Sequence, residues 1–252
     1  MLAGAMIMLS ELNVKFPSDG ASWEQFMLRW IHVTAAILWI GSLYFQILVV
    51  VPALMKSEQT MRGKMALAVI PKAAWIMRWS AVVVWLFGFR YFMILAKTDA
   101  LNAGDVSLMW RWIGIWAACW LGAFVIFMGG VESGKLPAPI LVLLAAIVTV
   151  AAAWINLALV AGPMTSNKTL CISVGGGIGT IMFLAVWGIV WRCQKKLIAW
   201  TRAAVEQGAA MPPEFAMVQK KLAVVSAIGA VLTIPVIFFM TAASHFPFLS
   251  GR

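Results

Sequence analysis

Charge is scarce in this chain. Only 11% of its 252 residues are Asp, Glu, Lys or Arg, where a soluble domain carries about 25%. With 63% apolar residues and a mean hydropathy of +0.94, that shortage excludes an ordinary cytosolic enzyme and a disordered chain. Carboxylates are scarcer still, nine against nineteen Lys and Arg. The resulting net charge of +10 does not imply a nucleic-acid partner, because no basic patch lies outside the short segments between apolar runs. In membrane proteins such an excess gathers in cytoplasmic loops. The three cysteines, Cys119, Cys171 and Cys193, form no CxxC or CxxCH. That excludes a disulfide framework, a zinc site and covalent attachment of a c-type haem.

What the chain has in abundance is unbroken apolar sequence. Runs at 26–54, 74–96, 108–130, 138–161, 170–192 and 222–245 each reach the ~20 residues that a helix needs to cross a bilayer. Spanning strands would instead show short alternating segments. The first run is too long for a cleaved secretory signal, and Glu11 and Asp19 precede it. The expectation is an all-α integral membrane bundle of six transmembrane helices, forming a single transmembrane domain over 1–252 with no soluble domain. Segments 55–73, 131–137 and 193–221 read as loops, with Gly208, Pro212 and Pro213 marking the longest polar stretch, 203–216.

The basic residues are unevenly divided. Eleven lie in those three segments when Arg192 at the edge is included; Lys15, Lys97, Lys168 and Arg252 fall on the other side. The remaining four, Arg29, Arg78, Arg90 and Arg111, lie inside apolar runs. Positive-inside reasoning puts the eleven in the cytoplasm and both termini on the outer face. All nine carboxylates fall outside the runs: Glu11, Asp19, Glu24, Asp99 and Asp105 on the outer side, and Glu58, Glu132, Glu206 and Glu214 on the inner. A transporter that relays protons through an intramembrane Asp or Glu is therefore disfavoured. Paired-carboxylate catalysis has no candidates either, and no catalytic residue is assigned.

Two histidines remain, His32 near the start of the first run and His245 at the end of the last. Six spans bring both to the outer side. Imidazoles from facing helices are the usual axial ligands of a b-type haem, which needs no CxxCH. The alternative is two unrelated interfacial histidines, each hydrogen-bonded to a backbone carbonyl. Zinc or copper would want further ligands. Arg29, Arg90 and Arg111 lie in the outer half, where haem propionates would supply the anions that the runs lack; snorkelling to the surface is the competing explanation. Arg78, in the inner half, is expected to snorkel to lipid phosphate. Trp23, Trp30, Trp75, Trp110, Trp112 and Trp191 sit at run ends and read as interfacial belts. Trp39, Trp85, Trp116, Trp120 and Trp154 lie deeper, as core or as walls for a flat cofactor. Gly175-Gly176-Gly177-Ile178-Gly179, with no Lys-Ser/Thr after it, is not a phosphate loop and points to close helix approach.

Trp30-Ile31-His32-Val33, then Leu38-Trp39-Ile40-Gly41 and Pro52, resembles the first helix of the membrane domain of bacterial membrane-bound, cytochrome-c-linked urate oxidases. The ending Pro235-Val236-Ile237-Phe238-Phe239-Met240, then Ser244-His245-Phe246-Pro247, resembles that domain's last helix. The resemblance implies a redox protein of the bacterial inner membrane with His32 and His245 as ligands of the haem b iron. In that family a cytochrome c domain follows the last helix. This sequence ends at Arg252 without CxxCH, so a separate c-type cytochrome or other redox subunit is the implied partner, besides the lipid bilayer. Urate, a quinol or a partner subunit would be the reductant. The alternative is a cofactor-free structural or assembly subunit of a larger membrane complex.

Overall fold

The computed structural model describes residues 16–249, so Glu11, Lys15 and Arg252 of the charge census lie outside the described residues. The described chain forms six long helices and no strand: α1 Gly20–Lys56, α2 Gln59–Asn102, α3 Ser107–Glu132, α4 Ala138–Val160, α5 Asn167–Gln207 and α6 Phe215–His245. Each contains an apolar stretch long enough to cross a membrane. The protein is an all-α, multi-pass membrane bundle.

Three helices outrun their apolar segments. With 37, 44 and 41 residues, α1, α2 and α5 are about 55–65 Å long, twice a hydrocarbon core of ~30 Å. Segments 55–73 and 193–221, expected as loops, are therefore mostly helix. Only Ser57-Glu58 and 208–214 break the backbone there. Hydropathy marks where the chain leaves lipid, whereas hydrogen bonding and side-chain spacing decide where a helix stops. Residues 191–207 carry charge, yet they bury Cys193 and Gln194 and continue until Gly208, whose left-handed φ of 64° closes the helix. Two wide π-turns interrupt the long helices, Gln46–Val50 in α1 and Val186–Val190 in α5. The first directly precedes Pro52, whose ring would otherwise press on the carbonyl one turn back.

Antiparallel neighbours pair as α1 with α2, α3 with α4, and α5 with α6. The most deeply buried is α5. Its glycines admit large neighbours: Gly177 takes the indole of fully buried Trp120, and Gly175 takes Phe239 and Met240. At one end of the bundle Gly63 of α2 meets Val205 and Thr201 of α5, and Lys221 pairs with Glu132 at 2.7 Å. This basic end gathers all three Lys/Arg-rich segments. At the opposite end Asp99 Oδ2 accepts from Ser166 N and Oγ, both at 2.8 Å, and Asn167 Nδ2 donates to the Ala242 and Phe246 carbonyls, both at 3.1 Å. The start of α1 and the end of α6 share that opposite end.

Candidate functional site

His32 belongs to the stripe of α1 that faces inward, with Leu28, Ala35, Trp39 and Leu43 buried one to three turns away. The stripe packs on α2. There Gly88 leaves the room that the ring occupies, since a side-chain Cβ at 88 would stand 2.6 Å from His32 Cε1 and 2.7 Å from Nδ1. His32 Nδ1 lies 2.9 Å from the Val84 carbonyl. A carbonyl can only accept, so Nδ1 carries the proton, and in the neutral ring Nε2 then keeps its lone pair. Histidines that bind metals are held in just this way, with one ring N–H donated to a carbonyl or carboxylate. A glycine inside an apolar helical run marks close approach, so Gly88 was a readable sign of a partner at this level.

His245 is the last residue of α6 and is exposed. Its Nδ1 donates to the Thr241 carbonyl of its own helix at 3.2 Å. No hydrogen bond joins the two imidazoles, and the described residues hold no group of three or more metal-ligating His, Cys, Asp or Glu.

Interhelical bonds set the relative depth of the two rings. His32 is level with Val84, and the neighbouring Trp85 donates its indole N–H to Thr180 Oγ1 at 3.1 Å. His245 is level with Asn167, which holds the Ala242 and Phe246 carbonyls. Along α5 the two marker residues, Thr180 and Asn167, are thirteen positions apart, or ~20 Å of helix. The nitrogens of two axial ligands on one iron stand only about 4 Å apart, twice an iron–imidazole bond of ~2 Å. Each imidazole separately suits a haem iron; in this arrangement the two do not flank a single one.

The arginines divide in the same manner. Arg90 is already neutralised: its Nη2 and Nε reach Glu24 Oε1 at 2.6 and 2.8 Å. Glu24, placed outside the span from sequence, lies one turn into α1 and supplies the anion that a propionate was expected to provide. Arg29 is exposed and lies 6.0 Å from the centre of the Tyr91 ring, one turn above His32 on the same helix. Arg111 is exposed near Asp105. Bonds from the Ser107 hydroxyl and N–H, and more weakly the charge of Arg111, hold the Asp105 carboxyl below the usual carboxylate range. Arg78, expected to snorkel, is buried against Trp191.

The deep tryptophans are mainly core. Trp39, Trp116 and Trp120 are buried, and Trp85 stacks between Phe89 and Phe183. Trp154 is 72% exposed and faces outward from the bundle. Trp112 and Trp191, expected in the interfacial belt, are buried and half-buried. No family model, curated protein or solved structure matches the chain.

Proposed function

We propose that this protein is a membrane electron-transfer protein of the urate-oxidase-membrane-domain type and that His32 is a ligand to the iron of a b-type haem. The observation that carries this reading is the held imidazole. Its Nδ1–H is fixed on the Val84 carbonyl, which leaves Nε2 as the free nitrogen of the neutral ring, and Gly88 gives the ring its place inside the bundle. Such a bond sets the tautomer and raises the basicity of the free nitrogen. Arg29, one turn away and without a carboxylate partner among the described residues, is the cation best placed to hold a propionate. Arg111 is a second such cation, and Arg90 acts through its pair with Glu24. The haem would supply one-electron chemistry. The chain's part is to hold the iron, anchor the propionates and exclude water. A separate c-type cytochrome is the proposed acceptor, and the bacterial inner membrane, with the basic end in the cytoplasm, is the proposed location.

The unequal depth of the two histidines and the closed Glu24–Arg90 pair favour one other reading, a cofactor-free subunit of a larger membrane complex. Optical spectra of protein purified after expression with added haem separate the two. A Soret band and a reduced α-band are expected, lost in His32→Ala and retained in His245→Ala. Absence of both bands from the wild type would leave the cofactor-free reading. Loss of the low-spin signal in both variants would mean that α6 shifts inward when haem is present and that His245 is the second ligand.

A further inference from the structure

Arg78 stands four residues into the apolar run of α2, toward the basic end, and is only 9% exposed. Its guanidinium carbon lies 3.4 Å above the ring centre of Trp191 and 5.4 Å from that of Trp187. The indoles cradle the cation but accept none of its hydrogen bonds. Arg78 Nε and Nη1 and the indole Nε1 of Trp187 are all buried without a partner. Trp187 lies within the π-turn Val186–Val190 and Trp191 follows it directly, and both indoles face Arg78. Lys195 brings a second positive charge, its ammonium 5.6 Å from the Trp191 ring. None of the three ion pairs among the described residues involves Arg78 or Lys195. Two cations thus lie against the Trp191 ring with no carboxylate paired to either, and three buried donors beside them, two on Arg78 and one on Trp187, have no partner. A buried donor left unpaired is costly, and a buried guanidinium more so.

An apolar groove of about 460 Å³ begins one side chain away. It runs between α1 and α2, from Trp30 and Val83 down to Leu38 and Trp75. Trp79 lines the groove and also packs edge-on against Trp187, ring centres 5.7 Å apart. Trp75 and Trp79 are 59% and 46% exposed on the lipid side. An oxyanion fits the donors, an alkyl chain fits the groove, and Trp79 joins the two.

We propose that buried Arg78 and Trp187, with Lys195 at their exposed edge, form an oxyanion site that seats the phosphate of an anionic phospholipid, with one acyl chain in the groove between α1 and α2. The planar guanidinium offers two adjacent N–H groups to phosphate oxygens, the indole N–H offers a third, and Lys195 selects for a net negative headgroup. The bound phosphate would tie α2 to α5 across the π-turn.

Native mass spectrometry on delipidated protein in detergent tests this, with phosphatidylglycerol, phosphatidylcholine and inorganic phosphate as probes. Wild type is expected to retain one phosphatidylglycerol and to prefer it to phosphatidylcholine. Arg78→Gln should bind it at least about tenfold more weakly, the loss expected for a charge-assisted hydrogen bond. Arg78→Lys should fall between them, and surface Lys195→Gln should lose affinity severalfold without loss of folding. If inorganic phosphate displaces the lipid from wild type, the site stands and free phosphate is its source. Equal phosphatidylglycerol binding by wild type, Lys195→Gln and Arg78→Lys would overturn the proposal and leave Arg78 a purely structural cation on Trp191. That comparison holds even if Arg78→Gln fails to fold.

Discussion

Asn156 is fully buried in α4 and satisfies only half of its amide. Nδ2 donates to Ser173 Oγ at 2.9 Å, while Oδ1 has no partner. Ser173 does not depend on it, since its hydroxyl donates to the Leu170 carbonyl at 2.7 Å. A side chain of the same branching without polar atoms removes the orphan acceptor and leaves no new one. Asn156→Leu should therefore melt within about 1 kcal/mol of wild type, or above it, in a detergent thermal denaturation. A loss of ~3 kcal/mol would mean that the amide oxygen has a partner that the packing does not reveal. Asp19 behaves differently, because its charge is what matters. Its carboxylate caps α1 by accepting from Ser22 N and Oγ, both at 2.8 Å, and those bonds hold the carboxyl below the usual carboxylate range. A lowered value means stabilisation that is complete above the ordinary carboxylate pKa of about 4 and is lost as pH falls through the depressed folded value. Amide exchange at Ser22, measured against the intrinsic rate at each pH, should stay protected at neutral pH and lose that protection only in acid below that range. In Asp19→Ala the protection should be absent at every pH, and equal protection in the two proteins would remove the cap.

Helices rather than single side chains decide how α5 sits at the centre, and its glycines are not equivalent. Around Gly176 and Gly179 nothing lies within 4 Å of an added Cβ, while at Gly177 it would run into Trp120, which is completely buried and cannot swing away. Gly177→Ala should cost at least about 1–3 kcal/mol through overpacking. Gly176→Ala and Gly179→Ala should be neutral or stabilise by up to ~1 kcal/mol through better helix propensity. Thermal melts of the three variants check this, and equal effects at 176 and 177 would refute the packing. The glycine cluster was visible in the sequence as a sign of close approach; which glycine meets which helix was not, because that depends on the angular setting of α3 and α6. The same divide runs through the rest of the molecule. Six apolar runs were legible because lipid demands an unbroken apolar surface over a fixed length. The continuation of α2 and α5 through charged sequence was not, since an amphipathic helix beyond the bilayer reads like a polar loop. His32 was identifiable as a histidine in an apolar run, whereas its hold on Val84 and Gly88 needed the α1–α2 register. The Arg90–Glu24 pair escaped notice because 66 residues separate partners that only antiparallel pairing brings together.

At the scale of the whole molecule, the two ends of the bundle differ in charge as well as in architecture. The basic end carries helical extensions of α1, α2 and α5 with Lys56, Arg62, Lys64, Lys72, Lys195, Lys196 and Arg202, and holds only Glu58, Glu132, Glu206 and Glu214 against them. The opposite end closes on short connections, 103–106 and 161–166, with its acids engaged: Glu24 on Arg90, Asp99 on Ser166 and Asp105 on Ser107. Moving the basic end across a bilayer during insertion would carry many uncompensated cations through hydrocarbon, while moving the other end carries few. The positive-inside rule follows from that asymmetry and predicts the basic end in the cytoplasm. Single cysteines at two sites measure it. Asn102→Cys, beside the 103–106 turn, should react with a membrane-impermeant maleimide added to intact cells. Lys135→Cys, in the turn between α3 and α4, should react only after the membrane is opened. The native thiols Cys119, Cys171 and Cys193 are half-buried or buried, so the parent protein should give little background. The reverse labelling pattern would invert the protein in its membrane. It would then put His32 and Arg29 in the leaflet facing the cytoplasm, where an extracytoplasmic c-type cytochrome could not take an electron from a haem held there, and the proposed acceptor would fall with the orientation.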